Sequence, residues 1–390
     1  MLAVALAVGA GGAVHAEPPY QALARDVVGA GQGVLVVAED GTVLASEAAE
    51  RAVHPASVTK VATSLALLQK LGPTHRFTTR LLAEGRVADG TLHGDLVVEA
   101  SGDPFLVDEG AFLILRRLHA LGLRTVDGRL TVRGPLLFDW QRDPDGKLLQ
   151  RALAGKTGVW PTTPDWPPLR DAALGFRGTP TKRSLVRETD AAPAPLVTYR
   201  SPPLLAVLKA MNGYSNNVFH LASDAIGGPA TVMAVARAAV PPAVREEIVI
   251  RNAAGAGTEN RISPRAAVAL LDALRHALAA EGRELSAVLP VSGIDPGTLR
   301  ERLLAPPLGR GMLVGKTGTY GSEGASALVG VLRTKRFGLV TFAVLNHGVA
   351  VPEARRRQDA FVAKLAVEVG AEPWAYADAA APAFGQALVE

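Results

Sequence analysis

A mixed α/β (α+β) fold interrupted by a β-rich insert is predicted by three observations. Strand-like runs and helical periodicity flank each other near both ends of the chain. Between about residues 76 and 194 the texture changes to short strands and dense turns. The length of 390 residues exceeds what one hydrophobic core usually organises. With 40 glycines and 27 prolines the chain carries the turn residues that a sheet needs and a helical bundle does not.

Each element has its own justification. Residues 33–47 form two apolar runs around Asp40-Gly41, the pattern of a hairpin. After Pro55-Ala56-Ser57, the residues Val58, Val61, Ala62, Leu65 and Leu68 recur at helical spacing until Gly72-Pro73 ends the run. Leu96-Val97-Val98-Glu99 and Leu130-Thr131-Val132 read as strands, and the stretch from Trp160 to Pro195 is rich in proline. These place an inserted domain at 77–194 within a unit built from 17–76 and 195–390. Helical periodicity returns at Leu204–Met211, Val218–Ile226 and Pro264–Leu278. Strand-like runs follow at Met312–Val314, Ala327–Leu332 and Leu339–Leu345, the last two joined by Arg333-Thr334-Lys335-Arg336 as a hairpin loop. A closing helix from Pro352 to Val369 sets Val362, Leu365, Ala366 and Val369 on one face.

Composition narrows the function. A net charge of +4 is small for this length, and the longest basic cluster, Arg355-Arg356-Arg357, fits a solvated helix face, so nucleic acid is not an expected partner. With no cysteine, disulfides, thiol catalysis and thiolate metal sites are excluded. No His-Glu-x-x-His occurs, and His54, His75, His93 and His220 are scattered, so neither metal nor cofactor is expected. Leu2 through Val14 are uncharged and apolar and end in small residues, which reads as a signal peptide over residues 1–16 and an exported protein. That run is too short for a stable transmembrane anchor. It lacks a basic residue before the apolar stretch, and an apolar N-terminal helix is the other reading.

Three short motifs bear chemistry. Ser57-Val58-Thr59-Lys60 places a hydroxyl and an amine on one helix face, their Cβ atoms about 5–6 Å apart. A neutral lysine can take the serine's proton if burial or a nearby cation lowers its pKa. Taken alone, such a pair is more often a cap and a solvated side chain. Tyr214-Ser215-Asn216-Asn217 opens a helix and offers a hydroxyl for proton relay and an amide for substrate, or merely a cap. Lys316-Thr317-Gly318-Thr319 continues a strand, with Lys316 and Gly318 on one side of it. Gly315-Lys316-Thr317 ends like a phosphate loop, but that loop needs glycine where Arg310 stands.

In this order the three motifs are the signature set of penicillin-binding proteins and serine β-lactamases. The chain resembles the D-alanyl-D-alanine carboxypeptidase/endopeptidase group of low-molecular-mass penicillin-binding proteins. Further matches lie at Gly94-Asp95-Leu96, Gly102-Asp103-Pro104, Asn260-Arg261-Ile262-Ser263 and Leu289-Pro290-Val291-Ser292-Gly293. The resemblance implies a transpeptidase-like fold, an antiparallel sheet flanked by helices with a helical lobe beside it. It implies Ser57 as nucleophile, Lys60 as its base, Ser215 as proton relay and Asn217 as holder of the substrate amide and of Lys60. Lys316 would supply positive potential, Thr317 and Thr319 would bind a terminal carboxylate, and Gly318 would admit close approach. Backbone N–H groups of Ser57 and Thr319 would form the oxyanion hole. The implied substrates are peptidoglycan peptides in the periplasm or cell-wall space, with β-lactam antibiotics as inhibitors.

Two motif ambiguities and two rival functions stay open at this level. Gly-Lys-Thr-Gly also occurs at residues 155–158, and Tyr214-x-Asn216 is a second register of the middle motif. A β-lactamase or esterase could use the same fold, although no glutamate is placed as a deacylating base. A non-catalytic wall-binding protein would have lost at least one of the three motifs.

Overall fold

The computed structural model describes residues 17–156, 173–182, 194–306, 308–376 and 383–390. The expected signal peptide, most of the proline-rich stretch, and Thr157 and Gly158 of the second Gly-Lys-Thr-Gly lie outside these residues. In chain order, β1 (Gly33–Val37) and β2 (Val43–Glu47) lead to α1 (Thr59–Leu71). Next come β3 (Thr78–Ala88), β4 (Thr91–Ala100), α2 (Asp108–Ala120), β5 (Leu130–Arg133) and β6 (Pro195–Arg200). Helices α3 (Leu204–Tyr214), α4 (Gly228–Ala239) and α5 (Pro264–Ala279) follow. The strands β7 (Val314–Tyr320), β8 (Ala325–Thr334) and β9 (Leu339–Asn346) and helix α6 (Val351–Glu368) complete the main elements.

The first sheet has the order β7-β8-β9-β1-β2 with antiparallel neighbours, so its hairpin from the N-terminus pairs with strands from the far end of the chain. Both faces are covered, and side-chain alternation assigns every second residue to a different core. Leu35, Ala327, Val329, Val331, Ala343 and Leu345 join the core shared with α1 and α5. Val34, Val36, Leu328, Leu332, Phe342 and Val344 pack instead with Phe361, Val362 and Leu365 of α6. Burial on both faces explains why these strands read as continuous apolar runs in the sequence.

Helix α1 is enclosed on all sides. Beyond its expected apolar residues it buries Lys60, Thr63, Ser64, Ala66 and Leu67 against α4, α5 and α3. Its polar groups are matched there: Thr63 Oγ1 donates to the Ala253 carbonyl at 2.6 Å, and Ser64 Oγ accepts from Asn212 Nδ2 at 3.0 Å. Gly72, at φ 85°, ends it as expected, since the reversed φ suits a residue without Cβ.

A second sheet carries the strands of the expected insert. β3 and β4 form a long hairpin whose turn, Asp89-Gly90, has positive φ at both residues, the twist that a two-residue hairpin needs. β5 runs parallel to β4, and α2, which lies between them in sequence, packs its Phe112, Ile114 and Leu115 over this sheet's own apolar core. β6, placed by the sequence at the start of the returning unit, pairs antiparallel with β3 in this second sheet. Leu388–Val389 adds to β6 from the end of the chain. Such pairings across more than a hundred residues leave no local pattern to read.

Gly102-Asp103-Pro104 connects β4 to α2 and carries a buried carboxyl. Asp103 Oδ1 accepts from the Phe105 amide at 2.8 Å, while Oδ2 has no partner among the described residues. Burial pushes its pKa up to about 7. The folded state therefore holds this proton more tightly than the unfolded chain, and stability falls as pH rises from about 4 to about 7, by up to roughly 1.4 kcal/mol per pH unit. Asp103→Asn keeps the acceptor for Phe105 and removes the titration. Urea unfolding at pH 5 and pH 8 should show the variant losing less stability than the parent across that interval; an equal loss in both proteins would rule out Asp103 as the source.

Candidate active site

The chain enters α1 through a strained turn. Ala56 has φ 48°, costly for a residue with a Cβ, and its surroundings hold it there. Its amide donates to His54 Nδ1 at 3.2 Å, and His54 Nε2 lies 2.7 Å from the Gly257 carbonyl, so the imidazole is neutral with its proton on Nε2. Burial lowers the pKa of His54, in keeping with that tautomer, and the ring stacks on Tyr320 at the end of β7 with centroids 4.6 Å apart. Thr59 Oγ1 donates to the Ala56 carbonyl at 2.9 Å and accepts from Asn260 Nδ2 at 3.1 Å. Asn260 Oδ1 also takes the amides of Arg251 and Asn252, which shapes the loop that carries Ala254. The Asn260 match thus has a structural reason.

Ser57 emerges from this turn in a short 3-10 segment, and Lys60 follows in the first turn of α1. Lys60 is wholly buried, with Nζ 2.7 Å from Ser57 Oγ and 2.6 Å from the Ala254 carbonyl. Burial brings its pKa down to about 7, and the Phe219 ring, with its centroid 6.0 Å from Nζ, is part of the apolar surround. At neutral pH a substantial fraction of Lys60 is therefore the free amine.

Across from it, Lys316 on β7 is also wholly buried. Its Nζ donates to Ser215 Oγ at 2.8 Å and to the Thr317 carbonyl at 2.9 Å. Burial first, then the charge of Lys60, holds its pKa well below the usual lysine value. Ser215 sits at the end of α3 in a left-handed conformation, φ 58° and ψ 39°. The adjoining loop supports that turn: Thr298 N–H donates to the Gly213 carbonyl, and a Cβ on Gly297 would collide with the same carbonyl.

The middle motif divides its labour by register. Asn216 Oδ1 accepts from the Val218 amide at 2.9 Å, a local cap, and Tyr214 is 65% exposed. Ser215 and Asn217 are the members that line the cleft. The bonds of Lys60 Nζ go to Ser57 and Ala254, so the contact expected between Asn217 and Lys60 is not made in this state. Gly155 of the second Gly-Lys-Thr-Gly lies just past the helix Lys147–Leu153, and the amide of Lys156 returns to the Arg151 carbonyl of that helix.

The cleft encloses about 410 Å³ and is lined by Ser57, Ser215, Asn217, Thr317 and Thr319, together with Thr298, Arg302 and Arg355. β7 is the edge strand of its sheet, so it turns one side toward Ser57. Gly318 makes the approach possible: a Cβ there would stand 2.8 Å from the Pro55 carbonyl and 3.1 Å from the Ser57 amide. Thr317 Oγ1 lies 2.7 Å from Thr298 Oγ1, and Arg355 Nη2 donates to Thr319 Oγ1 at 2.9 Å. Thr298, Arg302 and Arg355 escape a motif search because the first two come from one irregular loop and the third from α6, all apart from the motifs. Only Arg355 carried a visible signal, as part of the basic triplet.

This fold recurs in known proteins. A predatory endopeptidase of Bdellovibrio bacteriovorus, Bd0816, solved with immunity protein Bd3460, superposes with a TM-score of 0.73 at 23% identity, covering 90% of this chain and 97% of that one. Penicillin G-acylated Bd3459 of the same organism gives 0.67 at 21%, covering 90% and 96%. Penicillin binding protein 4 (dacB) of Haemophilus influenzae gives 0.62 at 18%, covering 89% and 98%. These likenesses establish the mixed α/β penicillin-binding fold expected from the motifs.

Residues 21–145 and 171–368 match the D-Ala-D-Ala carboxypeptidase 3 (S13) family, and the chain belongs to that family. In sequence it is 34% identical over 77 residues to the D-alanyl-D-alanine carboxypeptidase DacB of Haemophilus influenzae, a match spanning 20% of this chain and 16% of that relative.

The closeness of β7 to Ser57 can be tested with Gly318→Ala. The added methyl must push strand and helix apart by tenths of an ångström, and since a misplacement of about 1 Å can cost about 10²-fold in reactions that depend on alignment, up to about 10-fold is expected here. Covalent labelling by a fluorescent penicillin should slow by roughly that factor, with the protein still folded by circular dichroism. Labelling at the parental rate would mean that the close approach is dispensable.

Proposed function

We propose that this chain is a serine D-Ala-D-Ala carboxypeptidase acting on peptidoglycan stem peptides through an acyl-enzyme on Ser57. The observation that carries the reading is the buried contact between Lys60 Nζ and Ser57 Oγ at 2.7 Å, with a lysine whose pKa lies near 7. Neutral Lys60 takes the hydroxyl proton as Ser57 Oγ attacks the carbonyl between two terminal D-alanines. The N–H groups of Ser57 and Thr319 stabilise the oxyanion on the two sides of the gap that Gly318 keeps narrow. Ser215, held by Lys316, passes a proton to the departing amine as the C–N bond breaks. Asn217 orients the substrate amide, and Thr317 and Thr319 bind the carboxylate of the leaving residue. Water then hydrolyses the ester and restores the serine.

Penicillins acylate the same serine in this scheme and leave slowly, because the amine of the opened ring stays tethered where water must enter, and among the described residues lining the cleft no carboxylate compensates by activating that water. That favours inhibition over β-lactamase turnover. Cleavage of crosslink peptides is the second reading, supported by the structural likeness to the predatory endopeptidases of Bdellovibrio bacteriovorus. Work in the periplasm or cell-wall space agrees with the apolar residues 1–16.

The pH dependence has a definite sign. Acylation requires the unprotonated amine, so the rate should be low at pH 5, rise through about pH 7 and level off above about pH 8. Lys60→Arg, which stays charged, should lower it by roughly 10²- to 10⁴-fold, and Ser57→Ala should abolish labelling by a fluorescent penicillin. Label still attached to the Ser57→Ala protein would remove the nucleophile assignment. Mass analysis of digested muropeptides should show loss of one terminal alanine; monomers released from dimers would add the endopeptidase activity.

A further inference from the structure

The basic triplet at the start of α6 is not used uniformly. Arg356 and Arg357 turn to Glu353, at 2.5 and 2.7 Å. Arg355 turns the other way, over the edge of the first sheet, and donates to Thr319 Oγ1 at 2.9 Å. The second arginine of the cleft, Arg302, is already matched: its guanidinium pairs with Asp359 at 2.5 Å and donates to Gln358 Oε1 at 3.2 Å. Arg355 pairs with no carboxylate among the described residues, and its five N–H donors are mostly unspent. The wall around it is otherwise hydroxyl: Thr317, Thr319 and Thr298. One end of the cleft therefore presents a single uncompensated guanidinium beside a row of donors.

The hydrogen-bond directions sharpen this. Thr319 Oγ1 accepts from Arg355, so its own proton is available to a second acceptor. A carboxylate placed there accepts from the Thr319 hydroxyl and from the guanidinium together, the charge-assisted geometry that arginine favours. A neutral carboxamide offers one acceptor and brings an NH₂ against a cation.

We infer that Arg355 is a specificity-determining residue, one that selects leaving groups with a free α-carboxylate over the same residue amidated. The inference rests on the reading of Ser57 as the nucleophile, which sets Thr319 at the leaving-group end of the cleft. It reassigns one member of a triplet that looks like a solvated helix face in the sequence. Because Arg355 is exposed, its contribution is screened by salt.

The experiment compares kcat/KM for an acylated D-Ala-D-Ala peptide and its C-terminal amide in the whole chain, parent, R355Q, R355K and R302Q. The parent should prefer the acid. R355Q should lower the acid-to-amide ratio by roughly 10- to 100-fold, with R355K intermediate. In the parent the ratio should also shrink between 50 mM and 1 M sodium chloride, a readout that needs no variant. An unchanged ratio in R355Q, or a collapse in R302Q alone, overturns the assignment while leaving the serine peptidase reading intact. A parent that cleaves neither peptide and takes no penicillin label overturns both.

Discussion

Two buried amines, Lys60 and Lys316, meet in one water-poor seam between α1 and the edge of the first sheet, and each ends on a serine hydroxyl. Burying an ammonium is unfavourable by several kcal/mol unless it is paired or loses its proton. Among the described residues neither lysine pairs with a carboxylate: their other partners are backbone carbonyls, of Ala254 and Thr317. The seam therefore disfavours full protonation of both, and the low pKa values follow from enclosure and from mutual repulsion. An amine partly unprotonated near neutral pH beside a serine hydroxyl is the consequence of where the lysines are, not of the lysines themselves.

Enclosure in turn explains much of the surrounding architecture. α1 must be covered on every side, so the helical lobe wraps it and even its Thr63 and Ser64 find partners. The edge strand must come close, so Gly318 stands where a Cβ would meet Pro55 and Ser57. Two residues with a Cβ take positive φ in the motifs themselves, Ala56 before Ser57 and Ser215 at the end of α3. Each is held by groups distant in sequence, His54 and the 252–257 loop for one, Gly297 and Thr298 for the other. Strain at these points is affordable because the scaffold supplies independent contacts on each side.

Much of the architecture was legible from local pattern. The hairpin at 33–47, the helix after Ser57, the strand pair around residues 333–336 and the closing helix each has a periodicity that its burial enforces. Apolar runs in β8 and β9 signalled strands because both faces are covered. The membership of β6 in the second sheet was not legible, since it depends on a pairing with β3 more than a hundred residues away. Among site residues, Ser57, Lys60, Ser215 and Lys316 stood out because their spacing and order form a known set. Thr298 and Arg302 did not, because a threonine and an arginine in a loop have no distinguishing neighbours. Asp103 looked like a turn residue, and only its burial reveals a carboxyl with a strongly raised pKa.

By itself the sequence determined many of the strands and helices, because these rest on period and turn residues, and the family and its candidate side chains, because the ordered motifs resemble a known set. Tertiary structure decided what those side chains are. It lowered the pKa of Lys60 by excluding water, set Ser215 and Asn217 rather than Tyr214 and Asn216 along the cleft by the backbone turn at the end of α3, and separated Arg355 from its two neighbours. The physical reason is common to all three. Protonation, orientation and charge pairing depend on distances between elements that meet only when the chain has folded.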